Sequence, residues 1–398
     1  MNQTTANSKS EHICPICSSI AVEVVSLPEY PVTELLKSST NDEFRTSFDQ
    51  SLSTCTKCSH AFLNFQIHPT VLYGSLYLTR SNTSVAAISA INRFLQGIKR
   101  QFDLSSFNAV IDVGANDLSL LNAIFESGFQ GDLIGIDPIM GETVNGIVGI
   151  RGFGEEIDYE SFGSRSTPRL FLSSHTFEHL VDPSILIRKI ADGMTSSDVL
   201  VIQVPSIEAL VHEQRFDQVH HQHLHYYSLM SLNNLLDLNG LSMVQSEMDW
   251  LHYGAWVVTA QKTDLYPQKR VVDISRSSLR PDEIQHSYQN FIQHINLIDE
   301  ILSKSNYVAF GGGLMLPIVA YYIKSMWTSC IGILDDDELK NGWHYERTPM
   351  PITSGTGINM QNMNCLITGG VSKTSGRRIV NRLASANVKN IYFPTPGF

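Results

Sequence analysis

From residue 107 onward, short apolar runs alternate with longer stretches of helical spacing. The runs Ala109 to Val113, Leu133 to Ile136, Leu170 to Ser173 and Val199 to Val204 have the near-continuous apolar character of strands buried on both faces. This alternation predicts an α/β fold with a doubly wound parallel sheet. A charged, helix-favouring segment from Arg280 to Lys304 ends the series. Beyond it, Tyr307 to Phe310, Ser329 to Leu334, Asn364 to Thr368 and Asn390 to Tyr392, each followed by a polar or Gly-containing turn, predict a second α/β unit. Upstream, residues 12–68 hold β-like runs such as Ala21 to Leu27, and the pattern turns helical over Val85 to Phe102. The expected division is a small module over 12–68, linker helices over 69–104, an α/β domain over 105–265 and a second over 280–398.

Length agrees with several units, since 398 residues with 42% hydrophobic content exceed what one core usually holds. The net charge of −11 and the absence of a Lys/Arg run argue against a protein that binds nucleic-acid backbones. The segment Met1 to Glu11 is polar, and no apolar window reaches the ~18 residues of a membrane span. A cytoplasmic protein without a membrane partner is the expectation.

Six cysteines are too few for a disulfide scaffold, but four of them form two pairs, Cys14-Pro15-Ile16-Cys17 and Cys55-Thr56-Lys57-Cys58. Each Cys-x-x-Cys turn can present two thiolates to one tetrahedral ion, and four soft ligands favour a structural zinc ion with no position left for substrate. The 37 residues between the pairs, positions 18 to 54, must then form a folded insertion, and His60 is an alternative fourth ligand.

The turn Asp112-Val113-Gly114-Ala115-Asn116-Asp117 follows a strand and precedes a helical run from Leu118 to Phe125, the place where doubly wound sheets bind nucleotides. Gly114 lets a ligand approach the backbone, and the helix N-terminus offers amides to a carboxylate such as that of methionine. About twenty residues on, Asp137 ends the next strand and can accept both hydroxyls of a ribose. Without the three-glycine spacing of a dinucleotide site, NAD is the less favoured occupant of the turn. Adenine would lie past the third strand, where Glu155 or Glu156 can accept from its amino group.

His179, in Ser174-His175-Thr176-Phe177-Glu178-His179, follows the fourth strand and belongs on the same rim. Four histidines then lie between positions 220 and 225: His220, His221, His223 and His225. Three explanations compete: a second metal site, an acid–base site exploiting the near-neutral imidazole pKa, or solvated loop histidines.

Taken in order, these segments resemble the three-part sugar C-methyltransferases that act on keto-deoxysugar nucleotides. The likeness rests on the paired Cys-x-x-Cys module, the Asp112 to Asp117 turn, Phe177-Glu178-His179-Leu180 and Gln203-Val204-Pro205. It extends through Phe216 to Ser228, His252-Tyr253-Gly254, Gly311-Gly312-Gly313 and Asp335 to Lys340. The resemblance implies S-adenosylmethionine (SAM) as methyl donor, a C-terminal Rossmann-like domain forming part of the substrate cleft, and a transfer site lined by Tyr77, His179 and His223. His223 is implied to deprotonate the carbon beside a ketone, with Gln222, His220, His225 and His252 around it. Gln222 stands where the family has Glu, His220 where it has Tyr, and Leu118 where its cofactor turn closes with Gly. Gln222 carries no charge with which to support His223.

Three other functions fit parts of the pattern: methylation of a hydroxyl or non-sugar metabolite, a non-catalytic scaffold of the same fold, and an NAD oxidoreductase built on Gly311-Gly312-Gly313. The last lacks the spaced glycines and the acidic partner of a dinucleotide site.

Overall fold

The computed structural model describes residues 11–33, 47–67, 85–140, 144–263, 278–354, 358–369 and 373–395; Tyr77 lies outside them. β1 (Glu11–Ile13), β2 (Ile20–Pro31), β3 (Ser47–Cys55) and β4 (Ala61–Leu63) form an antiparallel sheet. Its centre is the long β2–β3 pairing, with Ala21 opposite Cys55 and Pro31 opposite Ser47. The residues separating the two cysteine pairs are thus largely this pairing, which returns the chain to its starting point.

After helix α1 (Val85–Gln101) comes the central sheet: β5 (Ala109–Val113), α2 (Ser119–Glu126), β6 (Asp132–Asp137), β7 (Val148–Arg151), β8 (Arg169–Ser174), α3 (Pro183–Gly193), β9 (Val199–Pro205) and α4 (Ile207–His212). β10 (His225–Tyr226) leaves this unit to pair with β4, and after α5 (Leu229–Asp237) the strands β11 (Leu241–Asp249) and β12 (Ala255–Lys262) complete the sheet. The order is β11-β12-β9-β8-β5-β6-β7. β9, β8, β5, β6 and β7 run parallel, as expected, whereas β12 is antiparallel to β9 and β11 to β12. The purely parallel expectation is therefore corrected to a mixed sheet. Along the edge strand β11 buried and accessible residues tend to alternate, so it lacks the continuous apolar run that marks the central strands.

Every residue of β5 is buried, and its alternate side chains feed two cores. Ile111 and Val113 join Phe171, Leu186 and Leu232 on one face, while Val110 joins Phe94, Leu121 and Leu170 on the other. With helices on both faces, every strand C-terminus of the parallel set opens onto one rim.

α6 (Pro281–Leu302) leads to a second parallel sheet of β13 (Tyr307–Phe310), β14 (Cys330–Asp335), β15 (Ile352–Ser354), β16 (Asn364–Ile367) and β17 (Asn390–Tyr392). Its order is β15-β14-β13-β16-β17, with α7 (Leu316–Tyr322) and α8 (Lys373–Ser385) among its connections. Asp335 at the end of β14 accepts from Gly312 N at 2.6 Å and pairs with Lys340 Nζ at 3.2 Å. One apolar cluster joins Leu27, Tyr30 and Leu52 of the first sheet to Phe216 and Val219, to Phe291 of α6 and to Leu316 of α7. Among the described residues no helix is long and apolar enough to cross a membrane.

Candidate active site

The turn after β5 is shaped by its neighbours. Gly114 has φ +82°, and a Cβ there would stand 1.9 Å from Thr176 Oγ1, which itself donates to Val113 O at 3.2 Å. The glycine is thus required by the turn's own conformation and by the exit of β8, in addition to any ligand. Asn116 (φ +48°) donates its backbone N–H to Asp137 Oδ2 at 2.9 Å, and Ile139 N donates to Oδ1 at 2.9 Å. Both Asp137 oxygens are thereby fixed on the rim, each with a lone pair left for a hydroxyl donor. Asp112 is 3% exposed, and burial followed by the charge of Asp137 raises its carboxyl to about 7.

Asp117, one residue before the N-cap Leu118, turns back to accept from Ser119 N at 3.2 Å and from Ser119 Oγ, and so occupies one of the amides expected to meet a carboxylate. Leu118, where the family has glycine, keeps the left-handed backbone at φ +63° with its side chain buried. Glu155 is half-buried in the turn Gly154–Glu156 after β7. The Oδ1 of Asn116 is buried without a partner. An unmet buried acceptor, a carboxylate pair and a glycine turn are compatible with a cationic, hydroxyl-bearing cofactor. An open groove of about 870 Å³, lined by Lys99, Phe102, Phe107 and Phe129, lies at the opposite rim beside the strand N-termini, away from this chemistry.

Past β8 the chain makes a tight excursion. His175 takes φ +54°, its N–H donates to Gln203 O at 2.8 Å, and its Nδ1–H donates to Glu178 Oε1 at 3.0 Å. His179 Nδ1–H donates to the carbonyl of Gln222 at 2.9 Å, which leaves Nε2 as the basic nitrogen. The rings of His179 and His223 meet edge to face at 5.0 Å, those of His220 and His223 lie 3.9 Å apart, and His252 packs on His175 at 4.8 Å. His223 Nδ1, His252 Nδ1 and Gln222 Nε2 are buried without hydrogen-bond partners. Burial lowers the imidazole of His220 to about 3 and holds those of His223 and His252 well below 6.5, with neighbouring histidines adding to each shift. These rings are neutral at pH 7, the form that accepts a proton or a ligand.

The other two histidines of the run are brought elsewhere. His221 Nε2–H donates to Tyr30 O at 3.1 Å while Nδ1 accepts from Gln50 at 3.1 Å. His225 Nε2–H donates to Leu180 O at 2.9 Å, and its Nδ1 accepts from His60 Nε2 at 3.0 Å. Both nitrogens of His225 are engaged, so this ring fastens β10 and does not face an acceptor. His60, considered as a zinc ligand, is turned to His225 and Ser231. The explanation of the run as solvated loop histidines fails, since His220, His221 and His225 are all buried. Sequence reasoning passed over Thr176, His175 and Glu178, for which adjacency to His179 was the available signal.

The four cysteine sulfurs converge, with Cys14–Cys58 at 3.7 Å and Cys17 at 3.5 Å from both Cys55 and Cys58. Four zinc–sulfur bonds of about 2.3 Å in a tetrahedron give an edge of about 3.8 Å, close to these separations. Lys57 N and Cys58 N both donate to Cys55 Sγ at 3.4 Å, orienting a lone pair inward. The donor set fits a structural ion.

Comparison with known proteins points the same way for the central unit. Residues 84–246 match a family model described as a methyltransferase domain. The central unit is a SAM-dependent methyltransferase domain. The chain is also 24% identical over 256 residues to the C-methyltransferase NovU of Streptomyces niveus, covering 62% of this chain and 60% of that protein's length. Among solved structures, the SAH-bound magnesium protoporphyrin IX methyltransferase of Synechocystis PCC 6803 aligns with TM-score 0.34 and 14% identity, over 45% of this chain and 84% of the other. The O-methyltransferase NcsB1 of neocarzinostatin biosynthesis aligns with TM-score 0.33 and 15% identity, over 48% of this chain and 63% of the other. Within the matched residues, His175 and His179 follow the end of β8 by one and five positions, and the later segment 220–223 brings His220 and His223 against His179.

Proposed function

We propose that this chain is a sugar C-methyltransferase, moving a methyl group from SAM to the carbon beside a ketone of a nucleotide-linked keto-deoxysugar. The observation that carries this reading is the position of the histidine cluster: Thr176 packs under Gly114, and His179 and His223 lie just beyond it on the same rim. Similarity to a C-methyltransferase supports carbon as the acceptor atom. On this reading Asp112, Gly114, Asn116, Asp117, Asp137 and Glu155 surround the cofactor, with Asp137 accepting the ribose hydroxyls and Asp112 meeting cationic charge. When bound, SAM supplies a methyl group on a sulfonium, already a good leaving group, so the protein's task is alignment.

His223 takes the proton from the acceptor carbon; the C–H electron pair moves toward the carbonyl oxygen as an enolate and then forms the new C–C bond. His179, with its tautomer fixed by Gln222 O, accepts from a sugar hydroxyl through Nε2, and His220, His252 and the Gln222 side chain line the acceptor side. Tyr77 belongs to this transfer site by the family resemblance. Residues 12–68 form the zinc module held by Cys14, Cys17, Cys55 and Cys58, residues 105–265 the transferase domain, and residues 280–398 a second Rossmann-like domain that closes the acceptor cleft.

The test is incubation with methyl-labelled SAM and a panel of keto-deoxysugar nucleotides, with product mass and NMR assignment of the new methyl. Label on carbon in the wild type, abolished in His223→Ala, supports the reading. Label on oxygen, or transfer only to non-sugar acceptors, overturns it.

A further inference from the structure

Glu178 is 0% exposed, yet it has no Lys or Arg partner among the described residues; its one ion-pair contact is His175. Oε1 accepts from His175, and Oε2 is buried with no hydrogen-bond partner at all. One side-chain donor atom from each of Glu178, His179 and His223 falls within 4.8 Å of the others. An orphan carboxylate oxygen is unfavourable at rest, because burial removes the water that would solvate it. The same arrangement becomes favourable when a neighbouring ring gains a proton.

We propose that Glu178 is a positioning residue for the transfer reaction, the carboxylate that stabilises the imidazolium formed when His223 takes the acceptor's proton. It fills the electrostatic role that the neutral Gln222 cannot. This inference rests on the C-methyl-transfer reading and deepens it. In the step, the acceptor C–H bond breaks with its electrons kept by carbon, and the proton goes to His223. The new C–C bond forms from those electrons, and the methyl–sulfur bond breaks with its pair to sulfur. His223 later returns the proton to water. The other groups facing Glu178 are His175 and His179 on its own segment, and Tyr226, Tyr227 and His225 from the strand region opposite. Asp182 adds a second negative charge acting on His225 and Tyr227. None of these supplies a permanent positive charge, so the carboxylate's field is available to a transient one.

The experiment compares wild type, Glu178→Gln and Glu178→Asp for methyl transfer to a keto-deoxysugar nucleotide across pH, with SAM affinity by calorimetry and zinc content by elemental analysis. Glu178→Gln is expected to lower kcat by roughly 10²-fold or more, with SAM affinity and KM nearly unchanged. Removing the anion makes the imidazolium harder to form, so the acid limb of the pH profile moves to lower pH in Glu178→Gln, and Glu178→Asp restores part of the rate. A Glu178→Gln protein with wild-type kcat and an unmoved acid limb overturns the assignment while leaving C-methyl transfer intact. A second metal ion per chain in the wild type, lost in Glu178→Gln, also overturns it, since the carboxylate would then be a ligand. A wild type that transfers no methyl to any such sugar overturns the C-methyl-transfer reading and, with it, this role for Glu178.

Discussion

Thr176 occupies the space that a side chain on Gly114 would need. The Cβ of any other residue would stand 1.9 Å from Thr176 Oγ1, on a backbone with φ +82°. The cofactor turn and the histidine segment are therefore packed as one piece, and a change in the first displaces the second. Gly114→Ala is expected to destabilise the domain by about 2–4 kcal/mol, combining left-handed strain with the clash, and to abolish SAM binding. Chemical unfolding and calorimetry check this; the double variant Gly114→Ala/Thr176→Ser should recover part of the stability, because it removes the methyl at 2.8 Å.

Asp112 links cofactor binding to pH. Its carboxyl is raised to about 7 by burial and by Asp137 beside it. A cationic ligand favours the ionised form, so SAM binding is expected to release a proton near neutrality and to weaken by up to roughly tenfold per pH unit below it. Calorimetry in two buffers of different ionisation enthalpy measures the proton count, and Asp112→Asn should remove the dependence.

The buried histidines set the acid limit of stability. Burial lowers His220 to about 3 and His221 and His225 to about 4, and it holds His60, His223 and His252 well below 6.5. Between those values and about 6.5 the unfolded chain binds protons that the native chain does not, so stability rises with pH there and is lost as pH falls. Each ring contributes up to about 1.4 kcal/mol per pH unit. Asp112 acts in the opposite sense, since its folded value lies above its unfolded one and its contribution is lost as pH rises toward 7. The histidines outnumber it, and the urea midpoint is expected to fall steeply from pH 7 to pH 5. A flat profile would contradict the neutral, buried assignment of these rings.

Zinc and the histidine segment should be coupled. Ser228 Oγ donates to Cys58 O at 2.6 Å, His60 Nε2 donates to His225, and β10 pairs with β4 two residues past the second cysteine turn. Purified protein is expected to carry one zinc ion per chain. Cys58→Ser, or stripping with a chelator, should raise amide hydrogen exchange at His225 and Tyr226 by about tenfold or more, through loss of the pairing. Unchanged exchange in metal-free protein would mean that the cysteine turns hold their shape without an ion.

The strands β5, β6, β8 and β9 of the central sheet and β13, β14 and β16 of the second were legible because burial leaves continuous apolar runs, as in Ala109 to Val113, whereas the largely accessible β7 and the three-residue β15 gave no such signal. The cysteine module, the glycine turn and Asp137 were legible because their chemistry depends on local spacing. β11 was missed for the opposite reason, since this edge strand alternates, and β12 reverses from it through a turn at Tyr253 and Gly254, with φ +56° and +73°, to join the sheet antiparallel. The two-residue strand β10 carries no periodicity, and its register comes from a partner more than 160 positions away. That long-range pairing is also why His225 read as a site residue while its ring nitrogens are taken by His60 and Leu180. Glu178 escaped notice because a charged residue beside His179 looks like solvent-facing polarity until its burial is known.

The most direct test of the account is calorimetric titration of the wild type and of Asp137→Ala with SAM and with S-adenosylhomocysteine. Asp137 accepts from Asn116 N and Ile139 N at 2.9 Å each and stands where the ribose hydroxyls would meet the rim. The account predicts saturable binding of both compounds to the wild type and its loss in a folded Asp137→Ala protein. No heat from folded, zinc-loaded wild type with either compound would contradict it.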